Sequence, residues 1–393
     1  MARVEIPAPV PDCMRRLTSS ACLALIYGVA TSAIAAVALA AAPPATERFA
    51  GVDLSYVNEV EACGAEFRLG GKPRDPYELF AEKGANLVRL RLWNNPSWTN
   101  YSTEADVTHS SERARRAGMK VLLDYHYSDD WADPQKQTIP AAWAADIDDA
   151  DKLAAHVYEY TRDVLARLNS RGLLPYMVQV GNEINTQMLR PADTKGAPVD
   201  WTRNAKILNA GIRAVREARA PDGSSPKVML HVAQPENVES WFAAAVAAGV
   251  RDFDYIGVSY YRKWSTLDLP QAERALLSVT RRFNRPIIIV EVSYPFTLQD
   301  AGDQAPNLLG EDSLHRGYPA SLHGQQRFMN DVVQMTLRVG GVGVVYWEPA
   351  WVSTSCKTRW GTGSHWENAT LFDFRKGNEL TPAADYLSTI RKQ

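Results

Sequence analysis

Charge of one sign is what this chain most clearly lacks: 43 Lys+Arg stand against 45 Asp+Glu, a formal net charge of -2 over 393 residues. Such a balance excludes a nucleic-acid binder that works by bulk electrostatics. Histidine is sparse, with seven scattered copies and no His-x-His on the first β-rich run, so a zinc centre is poorly supported. Gly361-x-Gly363-Ser364 has no Lys-Ser/Thr after it and no helix to open, which excludes a phosphate loop. From Phe49 onward there is no linker, low-complexity tract or sequence repeat, and 46% hydrophobic against 22% charged residues excludes disorder. What the chain does have is aromatics, including 11 Trp, many beside Asn, Asp, Glu or Pro. Tryptophans in that company suggest a flat, polar ligand.

The N-terminus reads as a targeting segment. Arg15 and Arg16 precede an uncharged Ala- and Leu-rich stretch from Leu17 to Pro44, and Ala38-Leu39-Ala40 supplies the small-x-small pattern of signal-peptide cleavage. Residues 1–40 are therefore expected to be a signal peptide, with translation starting at Met14 as an alternative, and residues 41–393 the functional domain. An uncleaved membrane anchor is the competing reading, since the uncharged run is long enough to span a bilayer. Cleavage implies a secreted or periplasmic protein with no membrane association.

Within 41–393, β-rich runs alternate with amphipathic helical ones. The strand candidates are Gly51–Ser55, Asn86–Leu92, Lys120–His126, Tyr176–Gly181, Lys227–Val232, Tyr255–Tyr260, Pro286–Val292 and Val342–Trp347. Helical stretches lie between them, several stopped by glycine at Gly84, Gly118, Gly172 and Gly249. The pattern predicts an α/β fold, a single (β/α)8 TIM barrel with long βα loops, whose site is built where the strands end.

Those ends carry the chemistry. The second strand holds Arg89 and Arg91 on one side, either a structural ion pair or a guanidinium that keeps a catalytic carboxylate ionised. The third runs into His126, Asp129 and Trp131, either a satisfied core histidine or part of a sugar-binding platform. The fourth ends at Asn182-Glu183 and the seventh at Glu291, each after an apolar run that removes solvation from a carboxylate. Strands four and seven face each other across an eight-stranded mouth, and a protonated and an ionised carboxyl flanking a gap is what glycoside cleavage requires. Glu183 is expected to be the acid/base and Glu291 the nucleophile. A phenol at the end of the sixth strand, assigned to Tyr260, would orient that nucleophile, while Trp347 and Trp351 would floor a pyranose ring.

Together, Gly51-Val52-Asp53-Leu54-Ser55, Val88 through Asn94, His126 through Pro134 and Tyr346 through Trp351 resemble glycoside hydrolase family 53, as do Trp366-Glu367-Asn368 and Leu371-Phe372-Asp373. The resemblance covers nearly all of the chain after Phe49. It implies a retaining endo-β-1,4-galactanase that cuts β-1,4-galactan polysaccharide or its oligosaccharides, the side chains of pectin and type I arabinogalactan. It also implies sugar contacts from Trp93, Asn94, His126, Asp129, Trp131, Asn182, Trp347 and Trp351. No cofactor is implied for the chemistry, and a monomer is expected. Bacterial relatives that bind calcium in the long loops draw attention to Asp300, Asp303 and Asn307 as oxygen donors. The family's usual Tyr-Tyr-Pro is replaced by Tyr260-Tyr261-Arg262, so sugar contacts beyond the cleavage point are expected to differ.

Cys63 follows the first strand and Cys356 the eighth, neighbours once a barrel closes, which predicts a disulfide in an exported chain. Two rival functions remain: another endo-β-glycanase such as a mannanase or cellulase, and a secreted carbohydrate-binding protein that has lost catalysis.

Overall fold

The computed structural model describes residues 47–192, 194, 198–302, 305–359 and 361–392. The expected signal peptide lies outside them. Each β-rich run forms a strand: β1 Phe49–Asp53, β2 Leu87–Leu92, β3 Lys120–Tyr125, β4 Met177–Val180, β5 Lys227–Ala233, β6 Tyr255–Ser259, β7 Ile287–Val292 and β8 Gly343–Tyr346. All eight pair in parallel in chain order and β1 closes on β8, so the sheet has no edge. Helices return the chain after each strand: α1 Pro76–Glu82, α2 Glu104–Arg116, α3 Ala150–Ser170, α4 Trp201–Glu217, α5 Pro235–Ala247, α6 Leu269–Phe283, α7 Leu322–Arg338 and α8 Tyr386–Lys392. Their starts are chemically marked. Asp75, Thr103, Asp149, Asp200 and Ser321 accept main-chain N–H bonds as N-caps, and Asp268 with Gln271 forms a capping box on α6.

The barrel interior changes character along every strand in steps of two residues, because alternate side chains point the same way. Toward the strand starts Phe49, Leu87, Leu122, Met177, Met229, Ile288, Val290, Val342 and Val345 form one buried apolar cluster. Two residues further on stand Asp53 beyond Gly51, Arg89, Asp124, Gln179 and His231, all buried. β7 departs from strict alternation. Its register against β6 slips between Val258 and Ser259, pairing Ser259 with Glu291, and a matching slip occurs against β8. This bulge lets Glu291 join the charged layer directly after Val290 has joined the apolar one.

Some elements have no counterpart in the sequence reading. A hairpin in the first βα loop (Phe67–Leu69 and Lys72–Arg74) pairs through Glu379–Leu380 with Phe372–Asp373, tying the first loop to the segment after β8. A disulfide joins the same two regions: Cys63 and Cys356 are bonded, with Cα atoms 5.6 Å apart. Among the described residues, no helix is long and apolar enough to cross a membrane.

Candidate active site

At the strand C-termini lies a cleft of about 570 Å³, lined by Asn182, Glu183, Glu291, Trp131, Trp347 and Trp366 among others. Glu183 stands just past β4, where Gly181 (φ +89°) turns the chain and Glu183 itself takes φ +43°. A Cβ at Gly181 would come within 2.5 Å of Ile184, so the turn has room for glycine alone. A left-handed conformation at a non-glycine residue costs free energy that surrounding contacts must supply. One oxygen of Glu183, one of Glu291 and a ring nitrogen of His231 lie within 4.8 Å of one another.

Arg89 ties the layer below together. Its Nη1 donates to Asp53 (2.9 Å), its Nη2 reaches Asp124 (2.8 Å), Asn182 Oδ1 (2.7 Å) and Glu291 Oε1 (2.8 Å), and its Nε donates to Gln179 (3.2 Å). The side chain is 1% exposed. Burial opposes its charge, but Asp124, Glu291 and Asp53 outweigh that and hold the guanidinium charged. Burial likewise opposes the charge on Asp124, and there Arg89 followed by His126 wins, lowering its pKa below the ordinary range.

The two facing carboxyls differ in their surroundings. Burial raises both. The charge of Glu291 pushes Glu183 up further, whereas Arg89 and the Tyr261 hydroxyl, which donates to Glu291 Oε2 at 3.0 Å, favour the ionised form of Glu291. Glu291 therefore loses its proton first. One carboxyl holding a proton beside one holding a charge, with nearest oxygens inside 4.8 Å, is the geometry of retaining glycosyl transfer; inverting pairs stand roughly 6.5–9.5 Å apart.

A third carboxyl lies deeper. Glu348 is fully buried, with the Asp53 side chain and the Tyr56 main-chain N–H as its neighbours, and Arg91 Nη1 lies 3.9 Å away. Burial, then the neighbouring Asp53, raises its pKa well above the ordinary value. Arg91 itself is held by π faces, its guanidinium carbon lying 4.0 Å from the Trp131 ring centre, 4.6 Å from Trp93 and 4.7 Å from Tyr56. A cation behind Trp131 stiffens that wall of the cleft.

Several residues expected at the site take other places. Tyr260 is a correction: its hydroxyl turns away to the Leu267 carbonyl (3.1 Å), and Tyr261 is the phenol on Glu291. Alternation explains this, since Gly257, Ser259 and Tyr261 share the inward face and Tyr260 the opposite one. Both ring nitrogens of His126 are engaged, by Asp124 (3.1 Å) and by the Ala132 N–H (3.0 Å), so it holds the Trp131 loop from behind. Asp129 accepts from the N–H groups of Asn95 and Ala141 and is spent on tying loops. Asn94 binds the Ser128 carbonyl through its main chain, outside the cleft wall. Trp93 is buried over Arg91, and Trp351 stacks on Tyr56 (4.0 Å between ring centres), so both back the wall without lining it. Asn182, Trp131 and Trp347 do line it, with Trp347 packed edge-on against Trp131 and Trp366. Asp53, Asp124, Gln179, His231, Ser259 and Tyr261 escaped the sequence reading, although counting two residues at a time from each strand start would have found them.

The loop after β7 was tested as a calcium cage. Asp300 is exposed and caps the Gly302 N–H, Asn307 donates to the Gln299 carbonyl and leaves its Oδ1 buried without a partner, and Asp303 lies outside the described residues. Calcium takes six to eight oxygens, and of the three expected donors Asp300 and Asn307 are the two that lie among the described residues.

Residues 49–387 match Glycosyl hydrolase family 53. The chain belongs to that family. It is 49% identical to an arabinogalactan endo-β-1,4-galactanase of Cellvibrio japonicus over 367 residues, covering 92% of this chain and 97% of that protein. An endo-β-1,4-galactanase of Bacillus subtilis is 35% identical, covering 82% and 77%. Among solved structures, a family 53 catalytic domain from Ignisphaera aggregans superposes with a TM-score of 0.77 at 30% identity, over 86% of this chain and 95% of that one. As a family member the protein is a glycoside hydrolase, and its (β/α)8 barrel is the fold of those neighbours.

Proposed function

We infer that the protein is a retaining endo-β-1,4-galactanase acting on galactan side chains of pectin and type I arabinogalactan. The observation that carries the chemistry is the pair Glu183 and Glu291, with nearest oxygens inside 4.8 Å on the floor of an aromatic-walled cleft. The relatives named above support the substrate. In the first step Glu183 gives its proton to the glycosidic oxygen as Glu291 attacks the anomeric carbon, forming a covalent galactosyl-enzyme and releasing the shortened chain. In the second, Glu183 takes a proton from water, which displaces Glu291 and restores both carboxyls. Arg89 and Tyr261 favour the ionised form of Glu291 against its burial and aim it, and Trp347 with Trp131 offers faces for the CH surfaces of galactose. The two carboxyls supply acid and nucleophile, so the reaction draws on no cofactor. Calcium taken up by the loop after β7 would use Asn307 Oδ1 and act on stability alone; a melting temperature unmoved by chelation rejects it.

Export as a monomer completes the reading. The export half is supported by the leader pattern before Pro44 and by a disulfide of the kind that persists in oxidising compartments. N-terminal sequencing and sizing of the protein recovered from culture medium or periplasm test both.

The deciding experiment is release of reducing ends from galactan, mannan and cellulose by the wild type and by Glu291→Ala. Galactan alone is expected to be cut, and the variant to lose activity while keeping its fold. Azide should partly restore turnover of an activated aryl galactoside by the variant, with inverted product. Retention of more than a few per cent of the galactan activity removes Glu291 from the mechanism.

A further inference from the structure

Glu183 sits in an unfavourable backbone conformation and presents a single carboxyl to the cleft, yet an acid/base must hold its proton on one chosen oxygen. Its partners form a closed circuit. Ser259 Oγ donates to Glu183 Oε1 at 2.6 Å, and His231 Nε2 lies 2.8 Å from that same hydroxyl. On the other side of the ring, His231 Nδ1 lies 3.3 Å from the main-chain N–H of Glu183 and 3.1 Å from Gln179 Nε2. A main-chain N–H can only donate, so Nδ1 accepts and the imidazole proton resides on Nε2. Asn182 Oδ1, 3.0 Å from Nδ1, already accepts from Arg89 and Gln179. Burial, followed by the charge of Arg89, keeps His231 neutral. With Nε2–H pointing at Ser259 Oγ, the one hydrogen of that hydroxyl is left for Glu183. Both residues are fully buried.

We propose that Ser259, aligned by His231, is the positioning residue that holds Oε1 of Glu183, directs its proton to Oε2 for the glycosidic oxygen, and receives the charge that remains after transfer. This rests on the acid/base reading of Glu183. One imidazole thereby secures both the strained main chain and the side chain of the acid, and the circuit spans β4, β5 and β6. The other groups that bear on Glu183 are Glu291 from β7 and Asp133 from the loop after β3, both of which raise its pKa, and Arg89 from β2, which with Ser259 lowers it. Tyr261 faces both carboxyls from the end of β6.

Steady-state pH profiles of galactan hydrolysis test the circuit. Removing the donor in Ser259→Ala takes away a bond that favours ionised Glu183, so the basic limb of kcat/KM should move up by about one pH unit. Turnover of galactan should fall roughly tenfold, and glycosyl transfer from an aryl galactoside whose leaving group needs no proton should be spared. Ser259→Thr keeps the hydroxyl and should restore the wild-type limb. Ser259→Cys, similar in volume but a weak donor, should shift it as alanine does, and serves if the alanine variant does not fold. His231→Phe should give the same displacement, and the double variant no more than either alone. An unmoved limb with a lower kcat at every pH, or failure of threonine to restore it, overturns the proposal. Glu183→Gln separates this from the underlying reading: if the basic limb survives in its residual activity on the aryl galactoside, the acid assignment itself is wrong.

Discussion

The two ends of the barrel interior are built on the same strands and have opposite chemistry. Below, nine buried apolar side chains from Phe49 to Val345 form one cluster. Above, Asp53, Arg89, Asp124, Gln179, His231 and Glu291 crowd into a buried hydrogen-bonded layer. Outside the barrel the contrast is again one of chemistry and not of size. A groove of about 640 Å³ at the strand starts is lined by Arg115, Lys120, Arg216 and Lys227 with no carboxyl group, while the somewhat smaller cleft at the strand ends holds the glutamate pair. Volume alone would choose the wrong end. Close packing is indifferent to reaction, so the lower layer gives stability, and the upper layer trades some of it for groups held against their solvation preferences.

Changes to either layer should therefore separate activity from stability. The largest effect is expected at Arg89. Arg89→Lys keeps the charge but loses the fork that reaches five acceptors, and turnover should fall on the order of 10³-fold with circular dichroism unchanged. A variant that does not fold would show instead that Arg89 serves the lower kind of role. In the apolar layer Leu122→Ala should do the reverse, costing about 2–5 kcal/mol by denaturant unfolding and leaving kcat on galactan within twofold. A tenfold loss of kcat in a stably folded Leu122→Ala would break the division.

The disulfide lies between these extremes. Joining positions 293 apart, it restricts the unfolded chain by about 4–5 kcal/mol in the chain-entropy model, and measured gains are often smaller. Cys63→Ser with Cys356→Ser should lower the melting temperature and raise KM, because the loop after β8 also reaches Asp130 through Arg359. Thiol titration in denaturant of unreduced protein beginning at Ala41, which lacks Cys13 and Cys22, should find none.

The smallest effect is expected at Glu348. A buried carboxyl whose pKa is raised keeps its proton in the folded state while the unfolded chain releases one near 4.5. The folded state then binds more protons, so stability falls as pH rises above that value. Glu348→Gln, which mimics the protonated form, should remove part of this slope and gain on the wild type by about 1 kcal/mol between pH 4 and pH 7, with the activity profile retained. Equal slopes in the two proteins would mean that Glu348 is ionised where it lies.

How much of this was legible in advance varies with the distance over which each feature is decided. Helix stops at Gly84 and Gly118, the eight β-rich runs and the carboxylates ending two of them are local, and were readable as such. The choice between Tyr260 and Tyr261 is also local, because strand alternation from Gly257 puts Ser259 and Tyr261 on the inward face and Tyr260 on the other. What His126 and Asp129 hold was not local: their partners, the main-chain N–H groups of Ala132, Asn95 and Ala141, come from loop conformations that residue types do not announce.

By itself the sequence determined the barrel, its polarity and the two glutamates, since periodicity, turn residues and an acidic group after an apolar run are properties of neighbours in the chain. Only the tertiary structure decided that Glu291 points inward. Strict alternation after Ile288 and Val290 would turn it out of the barrel, and the slip in register against both β6 and β8 brings it back. It alone also brought Ser259 and His231 to Glu183, and Arg89 to five acceptors from four different strands or their ends. Such contacts depend on how strands from distant parts of the chain align once the sheet closes, which no single segment encodes.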